Sequence, residues 1–168
     1  VEDWDLKKEG KILDTFDDAI SKDGKWYAMP YKAYTQATLV GKKPVEAAGG
    51  NMNSLPATWD EFAKFGEKAT DLSIPRLGYA MLGMDWCAWP YTAWVWSAGG
   101  EMARKNSDGT YRIAFNEEPG IDAAEFLNQM IWKYKMTQKD VLLGLDDLYK
   151  LSLNGTACFA WMNFVELT

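Results

Sequence analysis

The residues of this chain that could do chemistry at close range are aromatic rings crowded into one stretch and a few acids around it. Asp85-Trp86-Cys87-Ala88-Trp89-Pro90-Tyr91-Thr92-Ala93-Trp94-Val95-Trp96-Ser97-Ala98-Gly99-Gly100 holds four of the nine tryptophans. A tryptophan offers a flat face and one N–H donor. It suits the flat faces of ligands, the C–H faces of sugar rings among them, and it suits a core equally well. Trp86 and Trp89 stand ahead of the helix that Pro90 opens. There they are either hydrophobic staples or a ligand-facing platform, and residue type alone leaves both open. The acids near this stretch are Asp85, Glu101 and Glu166. Glycoside hydrolysis needs two carboxylates roughly 5–10 Å apart. Asp85 and Glu101 flank opposite ends of one helix, about 22 Å apart at its rise per residue, so they cannot pair.

The chain has no histidine. That excludes Ser–His and Cys–His nucleophiles and imidazole-based zinc sites. Cys87 and Cys158 have no metal-ligand spacing. They could bridge, but two buried free thiols are the expected state. No Gly-x-Gly-x-x-Gly is present, and Asp146-Asp147 reads as a helix start rather than a calcium loop. No cofactor and no metal are expected.

The elements around these residues follow from periodicity. Pro90 suits a first helical turn and Gly99-Gly100 a helix end. Between them Tyr91, Trp94, Val95 and Ala98 share one face. Ile12, Leu13, Phe16 and Ile20 make a short amphipathic helix, and Asp23-Gly24 a turn. Lys25 to Met29 and Tyr34 to Val40 read as strands. Gly41 to Pro56 is loop-like or weakly helical. Thr58-Trp59-Asp60-Glu61 is a capping box, and its helix carries Trp59, Phe62, Ala63, Gly66 and Ala69 inward. Trp59 is therefore expected in the core. Gly78 to Leu82 is a buried strand, and Tyr111 to Phe115 an alternating one. Asn116 caps a helix with Ala123, Ala124, Leu127, Met130, Ile131 and Tyr134 on its core face. A last helix carries Leu148, Leu151 and Ser152 and ends at Asn154-Gly155. Thr156 to Trp161 is a central strand. Strands alternate with helices, so the class is α/β with a mainly parallel sheet.

With 168 residues, 48% of them hydrophobic, a packed core is within reach. The net charge of −6 and the absence of a basic stripe argue against a nucleic-acid partner. No run of 18 apolar residues could span a membrane. Val1-Glu2-Asp3-Trp4 does not read as a signal peptide. The chain opens without an early strand and stops just past a central one, so it reads as a fragment.

Four segments resemble the extracellular solute-binding proteins of ABC sugar importers, the family that includes maltose-binding protein. They are Asp23 to Pro30, Pro56-Ala57-Thr58-Trp59-Asp60-Glu61-Phe62, Trp89-Pro90-Tyr91 through Gly99-Gly100-Glu101, and Leu153 to Trp161. They occur in the family's order and cover about residues 12 to 164. Val40-Gly41-Lys42 stands where the family usually has Tyr-Asn-Lys. Met162 replaces a glycine, and Cys87 a carboxylate that binds sugar in a relative. The resemblance implies a periplasmic-binding-protein-like fold of two lobes closing on a ligand. Residues 1–39 would end the first lobe and form the first hinge strand. Residues 40–168 would make an incomplete second lobe. Tyr34 and Thr35 would lie at the hinge. Trp86, Trp89 and Tyr91 would line the cleft, with Trp161, Asn163 and Phe164 entering it from the central strand. This fits the rule that ligands bind beyond the carboxyl ends of parallel strands.

The function so implied is non-catalytic delivery of a sugar or oligosaccharide to the membrane subunits of an ABC importer. The protein would be extracytoplasmic, in the periplasm or lipid-anchored at the cell surface, and a monomer when full length. A carbohydrate-active enzyme and a protein-interaction domain with exposed tryptophan anchors are the alternatives. Elemental analysis of a desalted sample is expected to find no stoichiometric metal; one equivalent of any cation would overturn this.

Overall fold

The computed structural model describes residues 16–33, 35–84, 86–140 and 143–163. Ile12 and Leu13 lie outside them. The first helix, α1, is Asp17–Ile20. Asp23 and Gly24 both take positive φ, 53° and 74°. That turn matches strand twist, and it joins β1 (Ser21–Lys22) to β2 (Lys25–Trp26) as a small antiparallel hairpin. The strand expected to run to Met29 stops at Trp26, and Tyr27 and Met29 are exposed.

β3 (Gln36–Val40) is followed by α2 (Lys42–Ala47), which buries Pro44 and Val45. This is a definite helix where the sequence suggests a loop or a weak one. α3 (Trp59–Ala69) begins as its capping residues require. Thr58 Oγ1 accepts the Glu61 N–H at 3.2 Å, and Glu61 accepts the Ala57 N–H at 2.9 Å. β4 (Leu77–Ala80) is wholly buried. α4 (Ala88–Ser97) starts two residues before Pro90, so Trp89 belongs to its first turn rather than preceding it. β5 (Ala103–Lys105) and β6 (Tyr111–Ile113) form an exposed hairpin. Every residue in these two strands is exposed, so β5 offers no apolar alternation to read. α5 (Glu118–Trp132) is capped by Glu117, not Asn116. Its core face holds Phe126 with Ala123 and Met130, while Ala124 points to solvent. α6 (Leu145–Leu153) buries Leu148 and Ser152, and β7 (Ala157–Asn163) is buried throughout. No helix among the described residues is long and apolar enough to cross a membrane.

The main sheet has the order β3-β7-β4. β4 and β7 are parallel, but β3 runs antiparallel to β7, so the sheet is mixed rather than mainly parallel. An apolar run carries no sign of strand direction, and an antiparallel edge on a parallel pair is a common arrangement. Successive residues face opposite sides. Tyr79 and Phe159, in register, join a cluster with Ala63, Phe126, Met130 and Met136. Ala80 and Ala160, also in register, join another with Leu82 and Leu148.

Two glycines let α3 approach β4. A Cβ on Gly78 would lie 2.4 Å from the Gly66 carbonyl oxygen and 2.5 Å from its Cα. Thr70 sews the same contact. Its hydroxyl donates to Gly66 O at 2.7 Å and accepts the Gly78 N–H at 2.9 Å. The outer edge of β4 is closed by Met136, Gln138 and Leu143. Tyr79 N–H donates to Met136 O at 2.8 Å, and Gly83 N–H to Leu143 O at 3.2 Å. Between them the Gln138 side-chain amide accepts from Met81 N–H and donates to Met81 O, standing in for a strand. Because the clash at Gly78 is with backbone, Gly78→Ala is expected to cost about 3 kcal/mol, near the upper end for overpacking. Urea unfolding checks this, and a midpoint equal to the parent's would refute it.

Candidate functional site

The chain leaves β4 through residues 81–87 and turns into α4. Cys87 N–H donates to Met84 O at 3.1 Å and Trp89 N–H to Trp86 O at 2.9 Å. Trp86 makes this turn at a φ of 71°, a left-handed conformation that a bulky residue seldom adopts. It holds the indole outward, 55% exposed, and against Trp89. The Trp86 and Trp89 rings meet edge to face with centroids 5.0 Å apart. Trp89 meets Trp161 of β7 the same way at 6.4 Å. The structure thus joins three of the expected site residues into one file, from solvent at Trp86 to the sheet at Trp161.

Trp161 ends the file with an unused donor. The residue is 5% exposed, and among the described residues its Nε1 has no partner. Asn163, two residues on, is 6% exposed with its Oδ1 likewise unpaired. Burying such groups unpaired costs about 1–3 kcal/mol each, so a partner supplied by a ligand is worth that much. Trp161 also forms a wall of a hollow of about 620 Å³ between the start of α3, the face of α4 and β3. Thr38, Trp59, Trp94, Ser97 and Asp122 share its lining. Its size suits a small-molecule site.

The other expected residues fall differently. Tyr91 turns towards α5 and its hydroxyl donates to Gly120 O at 2.9 Å, which ties α4 to α5. Thr35 is exposed, one residue before β3. Tyr34 and Phe164 lie outside the described residues. So do Asp85 and Glu166. Glu101 is engaged by Arg104 at 3.0 Å. Trp59, expected in the core, is only partly buried. It stacks on Phe126 at 4.6 Å, and its Nε1 donates to Ser97 Oγ at 3.1 Å. One edge of it is core and the other lines the hollow. Helix stripes mark Trp59 and Trp94 as inward-facing, but they carry no signal that the inward side is hollow. Thr38 reaches the site because its register partner is Trp161, and pairing register is absent from local sequence. The first turn of α4 has few free donors, since Trp89 N–H is spent on Trp86 and Pro90 has none.

The arrangement stacks and hydrogen-bonds; it has little to react with. Burial pushes the Tyr79 hydroxyl up to about 12, and burial pushes the Cys158 thiol up to about 11. Both therefore stay protonated at neutral pH. Among the described residues no three His, Cys, Asp or Glu side chains gather to hold a metal ion.

Comparison with known proteins places this geometry in context. The family model described as bacterial extracellular solute-binding protein matches residues 1–164. A maltotriose-binding protein of Pyrococcus abyssi is 30% identical over 129 residues, which cover 73% of this chain and 24% of that protein. A solute-binding protein of Thermotoga lettingae bound to α-D-tagatose superposes with a TM-score of 0.81 at 22% identity, covering 96% of this chain and 41% of that one. Maltose-bound MalE3 of T. maritima superposes with a TM-score of 0.75 at 23% identity, over 96% of this chain and 40% of that one. The chain thus spans about a quarter of the first relative's length and about two fifths of these structures. Its fold is a mixed α/β piece of the two-lobed, periplasmic-binding-protein-like architecture.

Both cysteines are free, but only Cys158 is buried; Cys87 is exposed beside Trp86, contrary to the expectation that both lie inside. Reactivity needs exposed thiolate. A disulfide reagent is expected to label one thiol per chain, Cys87, under native conditions and both in urea. Labelling of Cys158 in the folded protein would contradict the structure.

Proposed function

The chain belongs to the bacterial extracellular solute-binding proteins, and from that premise we propose that it binds a carbohydrate and hands it to an ABC importer without chemical change. The family is extracytoplasmic, and the proposal places this protein in the periplasm or at the cell surface, as a monomer. The observation that carries the reading is the Trp86–Trp89–Trp161 file, with Trp161 Nε1 at its inner end and Asn163 Oδ1 two residues on, both without a partner among the described residues. A sugar ring has an apolar C–H face and a rim of hydroxyls. The indoles suit the first and the orphaned donor and acceptor suit the second. The relatives' ligands, maltotriose, tagatose and maltose, are of this chemical class. Residues 1–39 would close the first lobe and supply the first hinge strand, and residues 40–168 would form the second lobe. Thr35 then sits at the crossing, with Tyr34 beside it in the chain.

A catalytic reading finds less support, since Glu101, one of the acids near the tryptophan stretch, is committed to Arg104.

Covering one indole face contributes roughly 1.5–3 kcal/mol. Trp89→Ala is therefore expected to weaken sugar binding about 10- to 100-fold by calorimetry against mono- and oligosaccharides. Phe126→Ala, a core truncation behind Trp59, is expected to cost about 3–5 kcal/mol of stability and leave the affinity of the folded protein unchanged. Undiminished binding by Trp89→Ala would place the platform elsewhere.

A further inference from the structure

α4 has a second hollow on its other flank, about 450 Å³, that the sugar site does not use. Met81, Leu82, Tyr91, Met102, Phe115 and Leu127 form most of its wall. No lysine, arginine, aspartate or glutamate lines it. The Tyr91 hydroxyl is already spent on Gly120 O, and the Tyr79 hydroxyl takes the Trp94 indole N–H. The rest of the lining is carbon and sulfur. The two methionines add flexible, polarisable surface that adapts to an occupant's shape. Hydroxyls or peptide groups placed there would lose water and gain no partner. An alkyl or aryl group loses nothing.

The hollow reaches the stretch of chain that carries the first two indoles of the tryptophan file. Cys87 and Ala88 line it, and in the chain they lie between Trp86 and Trp89. A group attached to a sugar ring resting on these indoles would enter it past the first turn of α4. We propose that the hollow receives the apolar aglycone of a glycoside whose sugar ring lies on Trp86 and Trp89. The protein's ligands would then include alkyl or aryl glycosides as well as free sugars. This rests on the carbohydrate reading above.

The test compares maltose, hexyl β-maltoside below its micelle-forming concentration, and 1-hexanol. Binding is measured by calorimetry and by the rate at which a disulfide reagent labels Cys87. Each buried methylene favours binding about fourfold, and ordering the chain takes part of that back. Hexyl β-maltoside is therefore expected to bind at least tenfold more tightly than maltose and to slow Cys87 labelling more than maltose does. Leu127→Trp and Met102→Trp fill the hollow from opposite walls. Each variant that keeps a cooperative melt should lose the hexyl increment and retain maltose binding. Equal binding of maltose and its hexyl glycoside overturns the aglycone site and leaves the carbohydrate reading standing. So does an increment that survives both fillings. Binding of hexanol and the hexyl glycoside without maltose binding overturns the proposal as stated, because the hollow would then act alone. Failure of all three probes overturns it together with the carbohydrate reading for this sugar class.

Discussion

With no side chain on Gly66 or Gly78, the backbone of α3 comes down directly onto β4, and the placement of the tryptophan file depends on how close that approach is. The Thr70 hydroxyl bridges the two segments where they touch. The Met136 methyl occupies the remaining space beside Gly66. That methionine opens the segment whose carbonyls and Gln138 amide close the edge of β4. The last residues of β4 are thus held from both sides, and the direction of the loop that leaves it is set. Trp86 can keep its left-handed turn because the loop is anchored at Met81 and Gly83 before it and by α4 after it. A strained residue persists only where its surroundings over-determine it.

α4 acts as a partition. Trp94 anchors it to the aromatic cluster of Phe62, Tyr79 and Phe126, and Tyr91 ties it to α5. Elsewhere it borders space, with polar groups and a carboxylate around one hollow and hydrocarbon around the other. A helix apolar on nearly every side would ordinarily be packed on every side. Here part of that apolar surface lines the two hollows instead.

Much of this architecture is legible in the sequence, and the parts that are not share a cause. The capping box at Thr58, the strand at Gly78 and the central strand at Ala157 rest on local chemistry, and each lies where its residues put it. Trp89 reads as lying just outside its helix because Pro90 marks a first turn without saying which residue of that turn it is. β6 shows in the alternation of Tyr111 to Phe115, but its partner β5 gives little signal because it buries nothing; Arg112 and Arg104 hold the hairpin through Glu117, whose carboxyl they keep below its ordinary range, the hydrogen bond from Arg112 above all. The direction of β3 and the meeting of Thr38 with Trp161 depend on pairing between distant segments, which local pattern cannot specify. The same holds for the site. The tryptophans announce themselves, but tertiary contacts settle which join a file, which pack between helices and which face a hollow.

The position of β7 has a consequence in time. It is the middle strand of the sheet and the last element of the described chain, and β3 and β4 touch it but do not pair with each other. Residues 36–40 and 77–80 therefore have no sheet to join until residues 157–163 have been made. Pairings of such long sequence separation are slow to form. A ribosome or a translocation channel that delivers residues 36–80 well before residues 157–163 keeps this sheet open over that interval. For a member of an extracytoplasmic family, that delay favours crossing the membrane as an extended chain and folding on the far side.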